Sequence, residues 1–278
     1  MTEPTFSDII TSIKNAERVN NTPERVEHES GSTLEIREQG CFVTELTLTR
    51  PETGQQIDVL YSDPDHTVPK LVASHIMSPA GPSDGPGGQH GYARWVPYRV
   101  IDRNQTPQGD KQVALEAFRG DYPIGITKGF TLYDDILTMA TTIENHGDTD
   151  VQTSLGEHLY FNFTGDSEHD IRVNRRTLDE LLGEGAQASI MAGNAVYWAD
   201  FEGAAVIHFP AGHAIGLEAG LASGDNSQLG MLIWHKPDTD SICFEPTVGI
   251  NSLVDNHDLT LPAGGSITLT TMIELLQE

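Results

Sequence analysis

The sequence predicts an all-β protein built as a large antiparallel β-sandwich, preceded by a short N-terminal helix. Three observations carry that expectation. A dozen or more short apolar or alternating runs follow one another from about residue 32 onward, each bounded by turn-forming residues. They recur at roughly 8–15-residue spacing, the rhythm of sandwiches and barrels. No repeating strand–helix period appears, which argues against a doubly wound parallel sheet.

The elements follow in order. Phe6, Ile9, Ile10, Ile13 and Ala16 recur at helical spacing behind Thr5 or Ser7 as N-cap, and Asn20–Pro23 ends the run. This predicts a helical extension over residues 1–22, ahead of a single sandwich domain over 23–278. Strands are expected at Ser32–Glu38, Phe42–Arg50, Ile57–Tyr61, Gln112–Arg119, Gly129–Tyr133 and Leu137–Ile143. Others follow at Thr153–Phe163, Ala195–Ala199, Ala205–Phe209, Ala214–Ala219, Leu229–Trp234, Ser241–Glu245 and Ser266–Leu275. Pro-Glu-Thr-Gly at 51–54, Asn-His-Gly-Asp at 145–148 and Ser-Gly-Asp-Asn at 223–226 supply turns between them. Ser78–Gln89 breaks the rhythm: its Pro and Gly content suits neither a helix nor a central strand, and it delivers the chain into Gln89-His90-Gly91-Tyr92-Ala93-Arg94.

Charge narrows the partners. The 278 residues carry 41 acidic and 16 basic side chains, for a net charge of −25. Such a surface repels nucleic acid and anionic membranes, which need clustered Lys and Arg. No run approaches the roughly 18 apolar residues that span a bilayer. Glu3, Asp8, Lys14 and Glu17 occupy the region where a signal peptide would be apolar, so a cytoplasmic location is expected. The two cysteines, Cys41 and Cys243, are too few for a disulfide framework or a four-thiolate zinc site and read as buried thiols. No acidic loop has EF-hand spacing, and no His-x-His pair suggests a cupin-type centre. Neither a metal nor an organic cofactor is expected. No heptad bears on oligomeric state.

Two strands carry the chemistry. In Ser154–Phe163, alternation turns Leu159, Phe161 and Phe163 one way into a core and His158, Tyr160 and Asn162 the other. An imidazole, a phenol and an amide on one strand face suit the wall of a polar cleft. Glu157 falls on the opposite face and is not expected to partner His158. In Ser241–Pro246, Ile242 and Phe244 share one face while Cys243 and Glu245 share the other. Pro246 lacks an N–H, so the strand is expected to stop there. Partial burial of Glu245 would raise its pKa and suit it to accept a proton near neutral pH.

These stretches resemble the aldose 1-epimerase (galactose mutarotase-like) superfamily. His158-Leu159-Tyr160-Phe161-Asn162 is similar to the strand bearing that family's catalytic acid, and Cys243-Phe244-Glu245-Pro246 to the strand bearing its base. Gln89-His90-Gly91-Tyr92-Ala93-Arg94 resembles the signature of the branch acting on hexose 6-phosphates. The three motifs stand in the family's order, and the likeness covers roughly residues 30–275. It implies a galactose mutarotase-like supersandwich and an isomerase that interconverts the α and β anomers of an aldohexose or hexose 6-phosphate. It implies His158 as general acid, Glu245 as general base and His90 on the ring-oxygen side. Gln89, Arg94, Tyr160 and Asp200 are implied to contact substrate. Leu159 stands where the family has proline. No arginine lies between Arg50 and Arg94, so a phosphate clamp would fall to Arg94 and Lys70.

Other function classes find less support. Gly81-Pro-Ser83-Asp-Gly85 matches a nucleophile-elbow pattern but lacks the strand before it and the helix after it. A glycosidase needs two carboxylates about 5–10 Å apart, and the motifs here offer one beside histidines. A non-catalytic carbohydrate-binding or regulatory module on the same fold is the alternative reading.

Overall fold

The computed structural model describes residues 23–61, 73–79, 89–117, 123–163, 171–250 and 259–277. The predicted N-terminal helix, Lys70 and Ser83 lie outside these residues.

Two nine-stranded sheets account for most of the described chain. The first runs β1 (Glu24–Glu27), β2 (Thr33–Arg37), β3 (Phe42–Thr49), β5 (Ser74–Met77), β11 (Leu155–Asn162), β18 (Ser241–Val248), β17 (Leu229–His235) and β14 (Val196–Trp198). In this sheet β4 (Gln56–Asp58) also pairs with β3. The second is ordered β13 (Arg176–Thr177), β12 (Arg172–Val173), β15 (Ala204–His208), β16 (Ala214–Leu221), β20 (Ser266–Leu276), β9 (Ile136–Asn145), β8 (Ile124–Leu132), β7 (Lys111–Ala117) and β6 (Tyr98–Gln105). A separate two-stranded ribbon joins β10 (Val151–Thr153) to β19 (Leu259–Leu261). Neighbouring strands are antiparallel throughout both sheets and the ribbon. The predicted antiparallel sandwich is the architecture observed.

Burial separates the sheets by role. Along β8 and β9 buried and half-buried residues alternate, as expected of a sheet with one face on the core. Strands β11 and β18 are buried almost continuously. Their inner face supplies Leu159, Phe161 and Phe244 to the core, where Phe161 and Phe244 meet edge to face at 6.0 Å. Their outer face is also covered, and it carries polar side chains. That combination marks the candidate cleft.

Glu157 points inward, as alternation requires. Its Oε2 accepts a hydrogen bond from Lys128 Nζ at 2.6 Å, Thr141 Oγ1 donates to Oε1, and both charged groups are buried. Lys128 belongs to β8 and Thr141 to β9, so this ion pair ties the two sheets together directly behind the cleft.

Several elements depart from expectation. Strand β18 runs through Pro246 to Val248 instead of stopping. Its pairing with β11 skips the His158–Glu245 and Glu157–Pro246 positions, where proline has no N–H to give, and resumes at Gly156↔Thr247. Its pairing with β17 is uninterrupted, including Met231↔Pro246. Glu245 is therefore an interior residue of a central strand, not a strand-end carboxylate. Strands β1, β5, β6, β12, β13 and β19 match none of the expected runs; β6 is almost wholly exposed, an edge strand without an apolar signature. Two short helices, Leu178–Leu182 and Ala186–Met191, also appear. A reciprocal Thr177–Glu180 capping box opens the first. No helix among the described residues is long and apolar enough to cross a membrane.

Candidate active site

The cleft is a row of side chains on one face of the first sheet. His75 on β5 pairs with His158 on β11. The flanking pairs Tyr160↔Cys243 and Gly156↔Thr247 set His158 opposite Glu245 on β18. Glu245 pairs with Leu232 on β17, and Leu232 with Tyr197 on β14. Cross-strand partners share a sheet face, so five neighbouring strands present one line of side chains to the cleft.

His158 is enclosed by rings. His75 stacks against it at 4.6 Å and Tyr160 at 4.4 Å, and those two rings are themselves 6.3 Å apart, so both lean on His158 without sandwiching it. His90 approaches at 5.2 Å and Trp234 at 6.0 Å, both nearly perpendicular. The indole is itself anchored, its Nε1 donating to the Gly193 carbonyl at 2.8 Å. This packing restrains the His158 ring and aims Nε2 at Glu245 Oε1, 3.2 Å away.

The Gln-His-Gly segment closes over the row. Gly91 has φ +70°, and a Cβ there would fall 2.0 Å from the Ser78 carbonyl oxygen, so only glycine fits. His90 also sits in the left-handed region, at φ 61°. That conformation is uncommon for a residue with a side chain, and it is concentrated at functional positions. It directs the imidazole toward His75 and His158.

Burial sets the charge states. It pushes the Glu245 carboxyl up from 4.5 to about 8. It holds His158 well below 6.5, with His90 and Arg94 adding to the effect. Burial lowers His75 likewise, and His90 to about 3. Across their 3.2 Å contact both shifts favour the neutral forms, Glu245 protonated and His158 unprotonated. Burial raises Tyr160 well above 10, while Arg94 opposes that rise. Arg94 itself is lowered to about 10 by burial and remains a cation at neutral pH. Its guanidinium lies 5.3 Å from the centre of the Trp95 ring, and its buried Nε has no hydrogen-bond partner among the described residues.

Five of the seven predicted residues gather here: His158, Glu245, His90, Tyr160 and Arg94. Gln89 is exposed at the start of the turn leading to His90. Asp200 is exposed in the turn after β14 and makes no polar contact with the cluster among the described residues. Two members went unpredicted. His75 sits in an apolar run, Ala73-Ser-His-Ile-Met77, with nothing in its neighbours to single it out. Trp234 ends an apolar strand and reads as core until its cross-strand position opposite Cys243 is known.

This architecture is the fold of the galactose mutarotase-like proteins. The chain is similar to the Slr1438 protein of Synechocystis sp. PCC 6803, at 19% identity and TM-score 0.71 over 95% of this chain and 99% of that one. It is also similar to a galactose mutarotase-like protein from Clostridium acetobutylicum (16%, TM-score 0.70, 95% and 98% covered). A third similar structure is the GalM/aldose epimerase homologue from C. elegans (13%, TM-score 0.64, 92% and 99% covered). No protein-family model matches the sequence, and no curated protein matches it.

Proposed function

We propose that this protein is an isomerase that interconverts the α and β anomers of an aldohexose or hexose 6-phosphate. One observation carries the reading: a buried carboxyl and a buried imidazole lie 3.2 Å apart on one face of the sheet. Mutarotation needs such a pair. A base removes the proton from the anomeric hydroxyl while an acid protonates the ring oxygen. The ring opens to the aldehyde, the C1–C2 bond rotates, and closure from the other face returns both protons.

In this scheme sugar binding draws the proton from Glu245 to His158, against the order that burial gives the two groups, as the sugar hydroxyls replace their mutual contact. Glu245 then serves as base and His158 as acid, and closure reverses both roles. Each positioned transfer contributes about 10²–10⁴-fold. His90 stands on the ring-oxygen side, and Tyr160 and Arg94 contact the hydroxyls. Gln89 and Asp200 would reach the sugar from the rim. The cation at Arg94 supports a phosphorylated hexose as one substrate option.

The test is anomer exchange measured by polarimetry or NMR saturation transfer over a panel of sugars and sugar phosphates. Exchange above the buffer rate supports the reading. Tight sugar binding without exchange would instead favour a carbohydrate-binding or regulatory module.

A further inference from the structure

The acid–base pair has a third neighbour that the mutarotation scheme leaves unused. The ligand atoms of His158, Cys243 and Glu245 all lie within 4.8 Å of one another, and all three residues are buried. Cys243 is fixed on the same face of β18 as Glu245, with Tyr160 and Trp234 on the strands to either side of it.

The spacing suits a tetrahedral ion. Nitrogen and oxygen ligands about 2.0–2.1 Å from zinc stand roughly 3.3 Å apart, and His158 Nε2 and Glu245 Oε1 are 3.2 Å apart. The thiol lies within 4.8 Å of both, against roughly 3.6 Å in a tetrahedral zinc site, so binding has to draw it in by about 1 Å. The donor set of one imidazole, one thiolate and one carboxylate is the borderline-soft mixture that selects zinc over magnesium or calcium.

We propose that Zn2+ binds between His158, Cys243 and Glu245 and, by occupying both members of the acid–base pair, reversibly blocks the site. Three protein ligands leave the fourth position to water. Binding expels two protons to solvent, the thiol proton and the one on Glu245. The metal is an inhibitor here, since it consumes the lone pairs that proton transfer requires. The blocking half rests on the proposed anomer exchange; the binding half stands without it.

Cobalt(II) is the probe. Chelator-treated protein titrated with Co2+ should bind one equivalent, with intense four-coordinate visible bands and a thiolate-to-cobalt charge-transfer band in the near ultraviolet. The chain has two cysteines, so the band reports on one of two thiols. It should vanish in Cys243→Ala and in Cys243→Ser, each checked for native circular dichroism, and persist in Cys41→Ala. Glu245→Gln should weaken Co2+ by at least roughly tenfold, and Zn2+ should displace Co2+ competitively. In the exchange assay Zn2+ should abolish turnover with the same midpoint, and chelator should restore it. A spectrum without the charge-transfer band, as from weak six-coordinate binding to surface acids, overturns the site. So does a band that survives loss of Cys243. Zinc bound without any effect on turnover overturns the blocking half. A metal-free protein that exchanges no sugar refutes the proposed function while the cobalt spectrum still decides the metal site.

Discussion

Replacing Glu245 by glutamine should stabilise the protein while disabling it, and the gain should depend on pH. Glutamine keeps the shape of the protonated carboxyl and can donate the same hydrogen bond to His158. Burial raises the Glu245 pKa from 4.5 to about 8, so between those values the native state holds a proton that the unfolded chain has released. Stability therefore falls as pH rises through this window, by about 1.4 kcal/mol per pH unit for the one group. Glutamine does not titrate. The variant should match the wild type near pH 4.5, exceed it by roughly 3 kcal/mol at pH 7, and gain little more above pH 8. At roughly 2–4 °C per kcal/mol for domains somewhat smaller than this one, the pH 7 gain is about 6–12 °C in Tm. Calorimetric melts of both proteins at pH 5, 7 and 8.5 measure it. A Tm difference that is the same at all three pH values would refute the reasoning, as would a variant less stable than wild type at pH 8.5.

Four further outcomes are expected. His158→Asn and Glu245→Gln should each lower the anomer-exchange rate by at least roughly 100-fold with the fold intact by circular dichroism; near-normal turnover removes that residue from its role. In the wild type, kcat/KM should fall as pH rises through about 8, where the pair loses the proton that Glu245 holds; a profile flat from pH 7 to 9.5 contradicts a pair that works with that proton. Lys128→Met should destabilise by roughly 3–5 kcal/mol, because it strands Glu157 as a buried uncompensated acid, and adding Glu157→Leu should recover most of the loss in urea melts. If Arg94 clamps a phosphate, glucose 6-phosphate should bind more tightly than glucose at low salt and Arg94→Ala should erase the difference; equal affinities in the wild type point to a neutral sugar.

Much of the site could be read from alternation alone. The period of two that sends Leu159 and Phe161 into the core necessarily turns His158 and Tyr160 into the cleft, and the same rule turns Glu245 away from Phe244. What alternation could not supply was the lateral order of strands. His75 acquires meaning only because β5 lies beside β11, and Trp234 only because β17 lies beside β18. Neither neighbour relation leaves a local mark in the chain. The expected end at Pro246 failed for a related reason. A missing N–H removes hydrogen bonding on one side of a strand, and β18 is held on its other side by an unbroken ladder to β17. Strand β6 escaped notice because an exposed edge has no apolar period to detect. The Thr177–Glu180 capping box, by contrast, was present in the sequence as a helix-start signature.

The measurement that bears most directly on the account is NMR saturation transfer between the α and β anomers of glucose and glucose 6-phosphate. Wild type, Glu245→Gln and His158→Asn would be compared at equal concentration near pH 7. Exchange well above the buffer rate is expected for at least one sugar with the wild type, with a loss of at least roughly 100-fold in both variants. No acceleration of any sugar in the panel, or acceleration that survives both substitutions, would contradict it.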